Sequence, residues 1–123
     1  MTLQESGEMY LETILILTEK QKYVHAIHVG EYMGFSKPSV SRALARLKKG
    51  GYITVDEVSH IHFTPEGREI AEKIYEKHTL LTKYIMLLGV SEETAKKDAC
   101  RIEHVISDET FDAMKRHAAE HNA

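Results

Sequence analysis

Gly34-Phe35-Ser36-Lys37-Pro38 ends one helix and starts another within a single short stretch. Gly34-Phe35-Ser36 reads as a turn. Ser36 can cap the second helix, and Pro38 falls in its first turn, where its missing N–H is harmless. Before the turn, Ala26 to Met33 read as a short helix with Ile27 and Tyr32 available for packing. After it, Lys37 to Lys49 read as a longer helix whose Val40, Ala43, Leu44 and Leu47 form an inward stripe. Pro38, Arg42, Ala45 and Lys49 lie opposite, flanked by Ser39 and Arg46 on one side and Lys37 and Ser41 on the other. Two helices joined by a glycine-containing turn, the second basic and serine-rich outside, predict a helix-turn-helix.

The net charge of -3 argues against a uniformly basic nucleic-acid coat. Residues 37–49 nevertheless contain Lys37, Arg42, Arg46, Lys48 and Lys49 and no acid. Local distribution matters more than the sum. An amphipathic helix with a solvated charged face is the alternative, but this face is single-signed and begins with small residues that allow close approach. Ser36, Lys37, Pro38, Ser39, Ser41, Arg42 and Arg46 are the candidate DNA-binding residues. Arg42 can pair bidentately with guanine, and serine hydroxyls can contact base edges or phosphates. Arg46, Lys48 and Lys49 suit phosphates, which fix position without reading sequence.

Gly50-Gly51 ends the basic helix. Tyr52 to Val55 and His60 to Phe63 read as two strands around a turn at Asp56 to Ser59. A hairpin placed there is the wing of a winged helix, resting beside the DNA backbone. His60 and His62 point to one side of their strand, which suggests metal. With no acid or thiol partner expected nearby, they read as wing surface.

Ser6 to Lys20 read as the first helix, capped by Ser6 with Glu8 in its first turn. Met9 and Glu12 share its less apolar edge, where the plain readings are core filler and solvated acid. Thr64-Pro65-Glu66 starts a helix that runs to about Leu88 and is stopped by Gly89. His78 falls on its apolar stripe, where a hydrogen-bonded core histidine is the plain reading. Ser91 caps the next helix, which carries Cys100, Glu103 and His104 at spacing i, i+3, i+4. Ala95, Ala99, Ile102 and Ile106 form its buried stripe, so the thiol, carboxylate and imidazole would share an outward face. Sulfur, nitrogen and oxygen donors together suit a divalent transition metal, not calcium or magnesium. Phe111, Met114 and Ala118 define a last helix whose apolar face is a candidate for pairing with a second subunit.

The chain of 123 residues fits one domain or two very small ones. It has no run of about 18 apolar residues and no basic-then-apolar leader, so neither a membrane span nor a secretory signal is expected. A single cysteine forms no intrachain disulfide and fits a reducing cytoplasm. Nothing resembles a separate general base or an oxyanion cradle, so an enzyme is not expected. A metal-independent winged-helix regulator with a redox-sensing Cys100 is the competing regulator.

Together these stretches resemble the metal-dependent repressors of the diphtheria toxin repressor and manganese transport regulator family. The resemblance is carried by Gly7-Glu8-Met9-Tyr10-Leu11-Glu12-Thr13-Ile14, Ser36-Lys37-Pro38-Ser39-Val40-Ser41 and Leu47-Lys48-Lys49-Gly50-Gly51-Tyr52. Phe63-Thr64-Pro65-Glu66-Gly67, Lys77-His78 and Ala99-Cys100-Arg101-Ile102-Glu103-His104 complete it. It implies a mainly α chain. An N-terminal winged helix-turn-helix with a small β-hairpin wing would occupy residues 1–63, and a helical metal-binding and dimerisation domain residues 64–123. The helix from residue 64 would link them. The implied activity is repression of metal-uptake genes by a cytoplasmic homodimer on palindromic double-stranded operator DNA.

In iron-type members, the positions of Met9, Cys100, Glu103 and His104 ligate the regulatory ion. In manganese-type members carboxylates replace Met9 and Cys100, and the positions of Glu12 and His78 join a two-metal site. The iron type's second site uses the position of His78 with an acid and an imidazole, and Thr82 and Lys96 stand at those two positions here. Thioether and thiolate donors favour iron(II), cobalt(II) or nickel(II) over manganese(II), the alternative ion.

Overall fold

The computed structural model describes residues 5–120. Its element order is α1 (Glu5–Lys20), α2 (Ala26–Met33), α3 (Lys37–Lys49), β1 (Ile53–Val55), β2 (Ile61–Phe63), α4 (Pro65–Leu87), α5 (Glu92–Ile102) and α6 (Asp108–Glu120). This is the mainly helical architecture with one small hairpin that the sequence predicts. The chain packs as two compact units that divide within α4, one ending at Glu72 and the other beginning at Lys73.

In the first unit, α1 packs on α2 and α3, and α3 packs on β1. Tyr10, Leu11, Ile14 and Leu15 of α1 join Val29, Val40, Ala43, Leu44, Leu47, Ile53 and Ile61 in one core. Ser6 lies inside α1, so it is not that helix's cap. The cap of α2 is formed by histidines: His25 is extended, and His28 Nδ1 accepts the His25 backbone N–H at 2.9 Å. Gly34 ends α2 at φ 72°, a left-handed conformation that a side chain resists. Ser36 caps α3, accepting the Ser39 N–H at 3.3 Å.

β1 and β2 pair antiparallel with Thr54 opposite His62. Both strands are shorter than predicted. The regular ladder stops short of Tyr52 because its N–H donates to the Leu47 carbonyl at 3.0 Å instead of across the hairpin, while its carbonyl still accepts the Thr64 N–H at 3.1 Å. That second contact ties the wing to the start of α4. Thr64 also caps α4 through Gly67 N–H at 3.1 Å and donates to the Gly51 carbonyl at 2.6 Å.

In the second unit, Ile74 and Leu81 of α4, Ala95 and Ala99 of α5, and Phe111 and Ala118 of α6 are buried. Of the α6 face expected as a candidate for pairing, Phe111 and Ala118 are thus already covered within one chain, while Met114 is only partly covered. Asp108 at the start of α6 receives Lys73 at 2.9 Å and Lys77 at 3.3 Å. Lys77 is itself buried, with Nζ 5.8 Å from the centre of the Phe111 ring. Large apolar side chains remain exposed at Met86, Leu87, Leu88 and Val105. Among the described residues, no helix is long and apolar enough to cross a membrane.

Candidate metal centre and nucleic-acid interface

α5 reaches Ile102, and Glu103 keeps helical dihedrals as its C-cap. The helical spacing therefore persists far enough to gather Cys100, Glu103 and His104. One donor atom from each lies within 4.8 Å of the others. Beyond Glu103 the chain turns, with the Val105 and Ile106 N–H groups both directed to the Ile102 carbonyl at 3.0 and 2.9 Å.

The three side chains are not displayed on an exposed face, as the helical spacing alone predicts. Glu103 is only 1% exposed, the side chain of His104 is fully covered, and Cys100 is partly covered. A buried carboxylate is costly unless it is paired. Glu103 Oε2 accepts a hydrogen bond from His78 Nδ1 at 2.8 Å. His78 is thus partly covered and hydrogen-bonded, as the plain reading of its place on α4 expects. In a neutral ring, donation from Nδ1 leaves Nε2 with its lone pair.

Glu103 Oε1 lies 3.4 Å from His104 Nε2 and accepts no hydrogen bond among the described residues. A buried anionic oxygen without a donor, beside sulfur and imidazole nitrogen, fits a divalent transition metal. Met9 and Glu12 lie one helical turn apart on α1 in the first unit, Met9 partly covered and Glu12 buried. At the positions that would need an acid and an imidazole for the iron type's second site, the Thr82 hydroxyl is buried and Lys96 pairs with Glu92 at 2.9 Å. An ammonium already held by a carboxylate offers no lone pair to an ion.

The predicted interface helix keeps its pattern. Lys37, Pro38, Ser41, Arg42 and Arg46 are exposed while the opposite stripe is buried. The Ser36 hydroxyl donates to that of Ser39 at 2.9 Å and accepts the Ser39 N–H as the helix cap. On the hairpin, the expectation that His60 and His62 lack an acid partner fails. Asp56 Oδ2 is 2.9 Å from His62 Nε2 and 3.5 Å from His60 Nδ1. The signal was present as an aspartate four residues before His60, but the turn that folds it back is read only from the structure.

A winged helix-turn-helix followed by a helical unit with a buried sulfur, nitrogen and oxygen donor set defines the class of metal-responsive DNA-binding regulators. Comparison with known proteins gives the same class. The family model "Iron dependent repressor, N-terminal DNA binding domain" matches residues 2–61, and "Iron dependent repressor, metal binding and dimerisation domain" matches residues 64–120. The transcriptional regulator MntR of Salmonella typhimurium is 32% identical over 112 residues, covering 91% of this chain and 71% of the relative. The diphtheria toxin repressor of Corynebacterium glutamicum is 34% identical over 108 residues, covering 87% of this chain and 47% of the relative. The solved structure of the manganese regulator SloR superposes with a TM-score of 0.82 at 25% identity, over 97% of this chain and 55% of that one. The chain thus spans about half the length of that solved structure. It belongs to the iron-dependent repressor family, whose members are metal-dependent transcriptional regulators rather than enzymes.

Proposed function

We propose that this chain is a cytoplasmic repressor of metal-uptake genes that binds palindromic operator DNA as a homodimer, with iron(II) as the activating ion. The observation that carries the reading is the convergence of Cys100, Glu103 and His104 donors within 4.8 Å around a buried carboxylate. Those three residues are the core of the proposed ligand set. Met9 supplies the thioether that the resemblance assigns to its position. Glu12 and His78 act as further ligands or as partners that orient the others.

When bound, the ion supplies positive charge that offsets the Glu103 carboxylate and the Cys100 thiolate. Cys100 must release its proton to ligate, and His104 must present a neutral nitrogen. His78 holds Glu103 in one orientation meanwhile. A thiolate favours iron(II) over manganese(II), and carboxylate in its place would favour the reverse. Exposed Met86, Leu87, Leu88 and Val105 supply apolar area for a second copy of the chain. Arg42 reads bases, while Lys37 and Arg46 hold phosphates. Two recognition helices read a palindrome when they lie about 34 Å apart, one DNA turn. Metal and operator must strengthen each other equally, typically by about 1–3 kcal/mol.

The test is a titration of metal-free protein with iron(II), manganese(II), cobalt(II) or nickel(II) in the presence of a labelled duplex selected from random DNA. Iron(II) should drive binding at lower free concentration than manganese(II), and Cys100→Ala should abolish the response at limiting metal. DNA retention indifferent to chelator would overturn the proposal. A response to manganese(II) at lower concentration would reassign the ion and leave the repressor reading intact.

A further inference from the structure

α4 holds both ends of the turn that carries Glu103 and His104. At the start of the turn, His78 Nδ1 bonds Glu103 Oε2 at 2.8 Å. At its end, Lys77 Nζ lies 3.3 Å from Asp108 Oδ1, and Lys73, one helical turn back, bonds Oδ2 at 2.9 Å. We propose that Lys77 is a positioning residue for the metal centre, fixing the path of residues 103–108 and so the aim of the His104 imidazole. The inference rests on the metal-binding reading and adds to it a residue that touches no ion.

The Lys77 side chain is only 8% exposed, against 62% for Asp108. Burying an ammonium costs solvation that one partly exposed carboxylate repays poorly. An apolar side chain of similar volume in such a place is often neutral or stabilising. The Phe111 ring, 5.8 Å from Nζ, would pack against an apolar chain as well. Lys73, on the exposed side, already pairs with Asp108. Stability alone therefore does not call for a charge at position 77. What the charge adds is direction, because the Nζ–Oδ1 contact sets where α6 begins relative to α4. The turn is tied to α5 by the Val105 and Ile106 N–H groups on the Ile102 carbonyl. Ser107 ties it to α6, accepting the Thr110 N–H at 3.1 Å. Lys77 fastens that second end to the helix that also carries His78. A ligand held in one geometry by its surroundings binds its ion more tightly than one ordered on binding.

The experiment titrates the full chain with cobalt(II) against a competing chelator, records the visible spectrum of the bound ion, and melts the metal-free protein. Lys77→Met keeps the length of the side chain and removes its charge. It should bind cobalt(II) at least about 10-fold more weakly and shift the spectrum, with no fall in melting temperature. Lys77→Arg, which keeps the charge, should recover part of the affinity. Should Lys77→Met fail to fold, Asp108→Asn removes the same contact at an exposed side chain and should show the same loss. Unchanged affinity and spectrum would overturn the inference, and so would a loss of affinity matched by an equal loss of stability. The metal reading would survive either result. Wild type that takes up no cobalt(II) would instead sink that reading and this inference with it.

Discussion

His78 donates from Nδ1 to Glu103 Oε2 across 2.8 Å, joining α4 to the end of α5. The bond aims a carboxylate that has almost no contact with water. A ligand held in one orientation binds better than one that must be ordered on binding, and loss of such a partner costs about 10–100-fold in metal affinity. His78→Ala should weaken cobalt(II) binding by that amount in a competition titration. His78→Gln, which retains an N–H donor, should recover part of the loss if orientation is the main role. Equal loss in both variants would instead make His78 itself a ligand.

Arg42 projects from the exposed side of α3, opposite buried Val40, Ala43 and Leu44. Arg42→Ala should cost about 1–3 kcal/mol on the selected duplex and much less on random DNA. Lys37→Ala should weaken both duplexes alike and lower the salt dependence of binding, because a phosphate contact carries no sequence information. Fluorescence anisotropy at several salt concentrations separates the two. Equal loss on both duplexes for Arg42→Ala would demote it to a phosphate contact.

What the sequence made legible is local. Ser36, Pro38 and the basic periodicity of residues 37–49 act within one or two helical turns, so α3 has the predicted ends and faces. The same holds for Ser91, whose hydroxyl caps α5 through the Thr94 N–H at 3.3 Å. Helical spacing also brought Cys100, Glu103 and His104 together. It could not reveal their burial, because cover comes from outside α5 and periodicity describes one helix alone. The pairing of His78 with Glu103 spans 25 residues and leaves no local signature. Ser6 failed as a cap because a good capping residue is also tolerated inside a helix, and only the chain's path decides. Phe111 and Ala118 lie on a face that its periodicity made a candidate for pairing with a second subunit, yet the single chain already buries them.

Gly67 sits where α4 begins, and a Cβ there would collide with the backbone carbonyl of Tyr52. That carbonyl is fixed by the Thr64 N–H at 3.1 Å, so it has no easy retreat. Gly67→Ala should therefore destabilise the chain despite alanine's better helix propensity. Overpacking of this kind costs typically about 1–3 kcal/mol, against a gain of about 1 kcal/mol from propensity. Urea unfolding should show a lower midpoint. An unchanged or higher midpoint would mean that the wing moves away from α4 without cost.

Asp56 gives the hairpin an acid dependence of known sign. Its carboxyl is lowered from 3.8 to about 2 by hydrogen bonds from the His62 side chain and the His60 backbone, the His62 contribution being the larger. A carboxyl whose pKa is depressed on folding contributes stability that is complete above its unfolded value and disappears as pH falls through its folded value. Between about pH 4 and pH 2, wild type should lose a component of stability that Asp56→Asn lacks. At neutral pH the variant should melt lower than wild type, and the two curves should converge in that acid window. The group is exposed, so the effect should shrink in high salt. Thermal melts at pH 2, 3, 4 and 7, each at low and high salt, check both statements. Parallel curves with a constant offset would show that Asp56 supports the turn through hydrogen bonds alone.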